Sequence, residues 1–154
     1  MTDFTMIKDM EGIATIVWNC PSKSMNVMNM EGMKQLDGFI DEALGDDSVK
    51  GIIITSGKKD FAGGMDLNIL AEMKKTSGDN PAQGVFEGIM SMHNVLRKIE
   101  IAGMDAKTKK GGKPVAAVLP GTALGIGLEL PLSTHRTFAA KNTKAKIGQP
   151  EILV

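Results

Sequence analysis

The chain has 154 residues, which is enough for one domain with a hydrophobic core and short for two. Its 18 basic and 18 acidic residues give a formal net charge of zero. This balance gives no electrostatic reason to expect a nucleic-acid partner or binding to an anionic membrane surface.

Short apolar segments alternate with helical patterns in the first half of the chain. Residues 14–19 predict a strand, and residues 30–44 place apolar side chains at helical spacing, with Asn29 as the expected N-cap. Residues 51–55 are nearly all apolar, which is typical of a strand covered on both faces. A loop containing glycine then leads into a helical pattern over residues 65–75.

The second half of the chain repeats this alternation. A polar break over residues 76–84 precedes an amphipathic helix predicted over residues 85–100. Residues 103–113 are polar and glycine-rich, and they predict an exposed insertion or hinge loop. Strands are predicted over 115–119 and 136–140. Strands and helices in this order predict one α/β layered domain with right-handed crossovers.

Cysteine use and the termini bear on localisation. A lone cysteine, Cys20, cannot form an internal disulfide, so a reducing, intracellular environment is expected. The N-terminus is acidic and lacks the apolar region of a secretory signal. No apolar run approaches the roughly 20 residues that a membrane-spanning helix needs. We therefore expect a cytoplasmic protein with no membrane span.

Methionine and histidine do not indicate a metal site. The chain has twelve methionines, and those near the predicted start of the first helix, Met28, Met30 and Met33, are interpreted as adaptable core side chains. His93 and His135 belong to no cluster with the spacing of metal ligands, so both are interpreted as structural or surface residues. No metal is predicted.

Two glycine-rich turns each follow a predicted strand, FAGGMDL at 61–67 and LPGTALGIGLEL at 119–130. Because proline is tolerated in the first turn of a helix, Pro131 predicts a helix start between Gly127 and Leu130, with the N–H groups near residues 125–128 unpaired. N–H groups from both turns could stabilise one developing oxyanion. The alternative is that the glycines only turn the chain tightly. Neither turn has the spacing of a nucleotide-binding loop.

Two glutamates accompany these turns. Glu129 lies in the first turn of the helix that follows the second turn, and Glu151 follows the last predicted strand. One helix start and one loop could bring both carboxyl groups to the same end of a sheet, where a pair can act as base and acid. The alternative for Glu129 is that it only balances the N-terminal charge of its helix.

Four stretches resemble the crotonase superfamily, and in particular the enoyl-CoA hydratases. They are KSMNVMN (23–29), SGKKDFAGGMDL (56–67), KPVAAVLPGTALGIGLEL (113–130) and AKIGQPEI (145–152). The chain looks most like the hydratase segment that opens bifunctional enoyl-CoA hydratase/3-hydroxyacyl-CoA dehydrogenase proteins. The resemblance implies a crotonase-like ββα spiral over residues 1–154. It also implies an incomplete domain, because members of the family continue into C-terminal helices that cover the acyl pocket.

The resemblance also implies a set of site residues. Glu129 and Glu151 match the two catalytic glutamates, and the backbone N–H groups of Met65 and Ile126 match the oxyanion hole for the thioester carbonyl. The residues that match the acyl-CoA site are Lys23, Ala62, Gly64, Asp66, Leu67 and Gly125. Ile126 stands where the family usually has glycine, so its N–H must serve from an ordinary backbone conformation.

The activity implied is addition of water to a 2-trans-enoyl-CoA in fatty-acid β-oxidation. Two alternatives stay open: a Δ3,Δ2-enoyl-CoA isomerase, and an inactive acyl-CoA-binding fragment that lacks its C-terminal lid. No cofactor is expected, since coenzyme A is part of the substrate, and NAD would enter only with a downstream dehydrogenase domain. The resemblance implies homo-oligomers like the trimers of the family, and the missing trimer-forming part leaves the oligomeric state open.

Overall fold

The computed structural model describes residues 2–69, 80–142 and 144–150. The elements of these residues are β1 (Phe4–Lys8), β2 (Ile13–Trp18), α1 (Met30–Gly45), β3 (Gly51–Ser56), α2 (Pro81–Ile101), β4 (Val115–Leu119), β5 (Ala123–Leu124), α3 (Ile126–Leu132), β6 (Arg136–Ala139) and β7 (Ile147–Gly148). A five-stranded sheet has the order β1-β2-β3-β4-β6, antiparallel between β1 and β2 and parallel elsewhere. Strands β5 and β7 form a small parallel sheet. The α/β prediction is confirmed.

Strand β1 was not predicted. Phe4 is its one buried side chain, so the segment carries no clear periodic signal. Its position is fixed by pairing with β2 and by stacking of Phe4 on Trp18, with ring centroids 5.2 Å apart. Asp9 forms the turn that follows, because its Oδ1 accepts hydrogen bonds from the N–H groups of Glu11 and Ile13, both at 2.9 Å.

Helix α1 begins where the sequence predicts. Asn29 is the N-cap, and its Oδ1 accepts a hydrogen bond from the N–H of Gly32 at 2.6 Å. The buried face of the helix packs against the sheet and consists of Gly32, Met33, Leu36, Ile40 and Ala43. At its C-terminus, Lys113 Nζ donates to the carbonyls of Ala43, Leu44 and Asp46, which fixes the chain before β4.

Helix α2 begins four residues earlier than predicted. Asn80 is its N-cap and accepts from the N–H of Gln83 at 3.2 Å, and Pro81 occupies the first helical position, where its missing N–H is not needed. The predicted polar break at 76–84 is therefore wrong from Pro81 onward. Helix α2 packs on α1, and Lys98 Nζ reaches Asp37 at 2.5 Å and Asp41 at 2.7 Å.

The helix predicted over 65–75 does not begin at Met65. Met65 forms a bridge with Met28, and the turn after Asp66 is closed by a hydrogen bond from the N–H of Ile69 to the carbonyl of Asp66, 3.0 Å. Residues 70–75 of this prediction lie outside the described residues.

Helix α3 begins at Ile126, before the predicted start between Gly127 and Leu130. Pro131 is the sixth of its seven residues, so the expectation that proline lies in the first turn is wrong. The cost is limited because the helix ends at once: the N–H of Ser133 returns to the carbonyls of Glu129 and Leu130.

The core lies between the five-stranded sheet and the helices. Its largest fully buried side chains include Trp18, Phe4, Phe61, Met28, Met33, Leu36, Ile40 and Ile99, which confirms the core role predicted for Met28 and Met33. The expectation that β3 is covered on both faces is wrong for the described residues. Ile52 and Ile54 are buried and Ile53 is half-buried. On the same open face of the sheet, Val118 of β4 and Phe138 of β6 are exposed.

Residues 105–112 are exposed, and Met104 pairs with Gly111 to close this loop at its base. No helix in the described part of the chain is long and apolar enough to span a bilayer.

Candidate functional site

The first glycine-rich turn leaves β3 and is held against the segment before α1. The N–H of Met28 donates to the carbonyl of Gly64 at 2.9 Å, and the N–H of Asp66 donates to the carbonyl of Met28 at 2.8 Å. Met65 lies between these two bonds, so its N–H points to the other side of the segment. Among the described residues this N–H has no acceptor. Gly64 allows the turn because its φ is +109°.

The second turn leaves β4 and starts α3. Gly125 has a φ of +53° and serves as the N-cap; its N–H donates to the carbonyl of Gly148 at 3.1 Å. Its carbonyl accepts from the N–H of Leu128 at 2.7 Å, so the expectation of unpaired N–H groups throughout 125–128 is wrong at both ends. Within the described ranges, the N–H groups of Ile126 and Gly127 have no acceptor. Ile126 does so without positive φ, as expected.

The two turns pack directly on each other. A Cβ added to Gly127 would lie 2.6 Å from the Cβ of Ala62, closer than atoms can approach. Ala62 also exchanges backbone hydrogen bonds with the second turn, donating to the carbonyl of Thr122 and accepting from the N–H of Leu124, each at 3.1 Å. The separation of the turns is therefore fixed by main-chain contact.

Asp60 ties the turns together from the side. Its Oδ1 accepts from the N–H of Thr122 at 2.8 Å, and this hydrogen bond is the main reason that the pKa of Asp60 is lowered. The sequence does not predict this role of Asp60, because the residue that it binds, Thr122, lies 62 residues further along the chain.

A cavity of about 250 Å³ opens where the two turns meet α2. The residues around it come from four parts of the chain and are Met65, Ile89, Met92, His93, Ile126, Glu129 and Gln149. The structure thus brings together three of the predicted site residues: Met65, Ile126 and Glu129. Glu129 is half-buried, and its carboxylate accepts no hydrogen bond from the described residues. The residues of the wall thus include two whose backbone N–H groups have no acceptor in the described part of the chain, Met65 and Ile126, and one with a carboxylate, Glu129.

The second predicted glutamate, Glu151, lies outside the described residues. The described chain leads to Gln149 and Pro150, and pairing of β7 with β5 fixes Gly148 beside the start of α3.

Other predicted binding residues lie elsewhere. Lys23 Nζ contacts Asp66 Oδ2 at 3.2 Å. Asp66 contributes to a different cavity of about 300 Å³ with Asn29 and Asn68. The pKa of Asp66 is lowered, mainly by the hydrogen bond from the N–H of Asn68 and to a smaller extent by the hydrogen bond from Lys23. Leu67 is exposed (87%) and does not line the cavity that contains Glu129.

Ala62, Gly64 and Gly125 are buried behind the wall of the cavity that contains Glu129 and shape the two turns.

His93 and Gln149 line the cavity but were not predicted as site residues. His93 follows Ile89 by four residues on one face of α2, a spacing visible in the sequence, yet nothing local indicates that this face meets the turns. His135 is structural, as interpreted: its Nδ1 accepts from the N–H of Val115 at 2.9 Å, so its Nε2 donates to the carbonyl of Glu100 at 3.1 Å.

The family profile described as enoyl-CoA hydratase/isomerase matches residues 8–154. The fatty acid oxidation complex subunit alpha of Shewanella sp. (strain ANA-3) is 29% identical over 150 residues, covering 97% of this chain and 19% of that protein. The subunit of the same name from Shewanella halifaxensis (strain HAW-EB4) is 30% identical with the same coverage. The chain therefore spans about a fifth of the length of these curated relatives.

Solved structures show the fold. Enoyl-CoA hydratase from Thermoplasma volcanium GSS1 superposes with a TM-score of 0.77 at 27% identity, covering 99% of this chain and 53% of that one. An enoyl-CoA hydratase structure from Geobacillus kaustophilus HTA426 superposes with a TM-score of 0.78 at 24% identity, covering 99% and 51%. The predicted crotonase-like α/β fold is confirmed.

Proposed function

Because the chain belongs to the enoyl-CoA hydratase/isomerase family, we propose that its site adds water across the 2-trans double bond of an acyl-CoA thioester. One observation carries the proposal: Met65 and Ile126, whose backbone N–H groups have no acceptor among the described residues, line one cavity together with Glu129. The names of the curated relatives support a role in fatty-acid oxidation. The proposal needs no cofactor, since coenzyme A is part of the substrate.

The proposed chemistry uses the donors to hold charge on oxygen. The water oxygen bonds to C3 of the enoyl group, and the electrons of the C2–C3 double bond move towards the thioester carbonyl. The resulting enolate oxygen accepts hydrogen bonds from Met65 and Ile126, whose N–H groups are fixed before the reaction begins. A carboxylate takes the proton that the water loses. A proton from the other carboxyl group bonds to C2 and restores the carbonyl, and proton exchange between the two carboxyl groups returns both to their starting states.

Two glutamates share the two proton transfers of the proposed reaction, from water and to C2. Glu129 lies in the cavity wall and holds the attacking water. Glu151, two residues after Gln149, is proposed as its partner on the strength of the family motif. The presence of Glu129 in the wall favours hydration over isomerisation, since isomerisation of a 3-enoyl thioester adds no water and needs one proton carrier.

The test compares the full chain with Glu129→Gln, which replaces one carboxylate oxygen by an amide nitrogen of similar size. Hydration of crotonyl-CoA is followed by loss of the absorbance of the conjugated thioester. We expect turnover to fall by about 10²- to 10⁴-fold, the usual contribution of a positioned acid or base. Affinity for butyryl-CoA, measured calorimetrically, is expected to be unchanged. Glu42→Gln, at an exposed position on α1, is the matched control.

Each alternative has its own outcome. Normal turnover by Glu129→Gln would remove Glu129 from the mechanism. Isomerisation of a 3-enoyl-CoA that survives this substitution, without any hydration, would identify an isomerase. Tight butyryl-CoA binding by the unaltered chain, with neither reaction, would identify an acyl-CoA-binding fragment.

A further inference from the structure

Three polar side chains line the cavity that contains Glu129, and the proposed hydration uses only one of them. The other two are His93 and Gln149, set among the apolar side chains of Met65, Met92 and other lining residues. Polar groups in a largely apolar ligand cavity normally fix the orientation and identity of the ligand. We therefore ask which ligand groups these two side chains would bind.

Their positions place them at the open part of the cavity. On α2, Met92 is buried (2% exposed), whereas His93 is exposed. Gln149 is exposed as well, and it follows β7, which the hydrogen bond from Gly125 N–H to Gly148 O fixes against the start of α3. Two hydrogen-bonding side chains from separate elements thus lie in the exposed part of the cavity wall.

Within the described ranges, the polar groups of both side chains have no hydrogen-bond partner. Neither makes a hydrogen bond to another described residue, in contrast to His135, whose two ring nitrogens both have backbone partners. A hydrocarbon tail pressed against His93 and Gln149 displaces their water and returns no hydrogen bond, which costs binding energy. A tail that carries an acceptor replaces the water with a direct bond.

We propose that His93, assisted by Gln149, determines which acyl-CoA thioesters the site binds. The site prefers a thioester whose acyl tail carries a hydrogen-bond acceptor to one of equal length with a plain hydrocarbon tail. The inference rests on the proposed function, since it takes the cavity as the acyl site. The acceptor can be a carboxylate or a neutral hydroxyl. Glu129 shares the cavity and repels a carboxylate, so the two kinds of acceptor are separate arms of the test.

The experiment measures calorimetric affinities of the full chain for three saturated five-carbon thioesters: pentanoyl-CoA, glutaryl-CoA and 5-hydroxypentanoyl-CoA. None has a double bond to hydrate, so binding is read without turnover. We expect the chain to bind at least one of the two polar thioesters more tightly than pentanoyl-CoA. His93→Leu is expected to lower that preference about tenfold, the effect of losing one hydrogen bond between the protein and the ligand.

Two further variants separate recognition from folding. His93→Gln keeps a donor at the same place and is expected to retain most of the preference. Asn94→Leu makes the same kind of change at the next, exposed position of α2, outside the cavity wall, and is expected to leave the preference unchanged.

Equal affinities for all three thioesters in the unaltered chain, or a preference that His93→Leu does not change, would overturn the inference. A preference that persists in a chain unable to hydrate crotonyl-CoA would support the inference and contradict the proposed function. Hydration of crotonyl-CoA by a chain that shows no preference among the three thioesters would support the proposed function and contradict the inference.

Discussion

Helix α1 begins behind a side-chain cap, whereas α3 begins behind a glycine that has no side chain. At α1, Asn29 Oδ1 accepts from the N–H of Gly32 at 2.6 Å. At α3, Gly125 makes no side-chain cap, and the N–H groups of Ile126 and Gly127 find no acceptor in the part of the chain that the structure describes. The first start is built for stability, because it satisfies a donor from within the chain. The second leaves two donors without an acceptor among the described residues.

The largest stability effect is expected where α3 meets the first turn, in Gly127→Ala. The new Cβ would lie 2.6 Å from the Cβ of Ala62 and 3.2 Å from its carbonyl oxygen, so the two turns must move apart. We expect the free energy of unfolding to fall by about 1–3 kcal/mol, as for other overpacked sites, and crotonyl-CoA hydration to fall with it. Urea unfolding and the hydration assay measure these effects.

The control for this variant lies in α1. Gly38→Ala adds the same methyl group where no atom lies within 4 Å, and it is expected to raise the free energy of unfolding by about 0.5–1 kcal/mol. If both substitutions shifted stability in the same direction, the contact between the turns would not be the cause.

A smaller effect is expected from removing the cap of α1. Asn29→Ala leaves the N–H of Gly32 without its acceptor, and the free energy of unfolding should fall by about 1 kcal/mol. Asn29→Ser keeps a short acceptor and should recover most of the loss in the same urea titration. An equal loss in both variants would mean that the bond from Asn29 Nδ2 to Asp3, 3.1 Å, matters more than the cap.

The smallest effect concerns pH. The pKa of Asp60 is lowered in the folded chain, so its stabilising contribution is complete above the unfolded value of about 4 and is lost as pH falls through the folded value. After solvent screening we expect less than about 1 kcal/mol. Asp60→Asn should therefore reduce the loss of stability on acidification from pH 5 to pH 2, followed by thermal unfolding. Asp47→Asn, which removes an exposed carboxylate, is the control.

Much of the fold could be predicted because its signals are local. Asn29 lies directly before the apolar stripe that it caps, and β4 is an apolar run with the bounds expected from the sequence. Strand β1 was missed because its position depends on pairing with β2, and the start of α2 was missed because Pro81 was interpreted within a polar break.

The candidate site likewise has residues that the sequence predicts and residues that it does not. Met65, Ile126 and Glu129 were identified by a family resemblance in glycine-rich motifs, and the structure brings them to one cavity. His93 lines that cavity because α2 lies beside the two turns. The residues next to His93 in the sequence do not indicate this packing. Asp60 depends in the same way on a partner far along the chain.

The donors at positions 65 and 126 belong to the main chain, and this has a consequence for how the chain can vary. A side-chain substitution leaves a peptide N–H in place, so alanine scanning at these two positions reports on the packing of the side chains and not on the N–H groups. Methionine and isoleucine can occupy these positions because neither side chain supplies the donor. Replacing a single peptide bond by an ester, which removes the N–H and keeps the side chain, is the change that would measure the contribution proposed for these N–H groups.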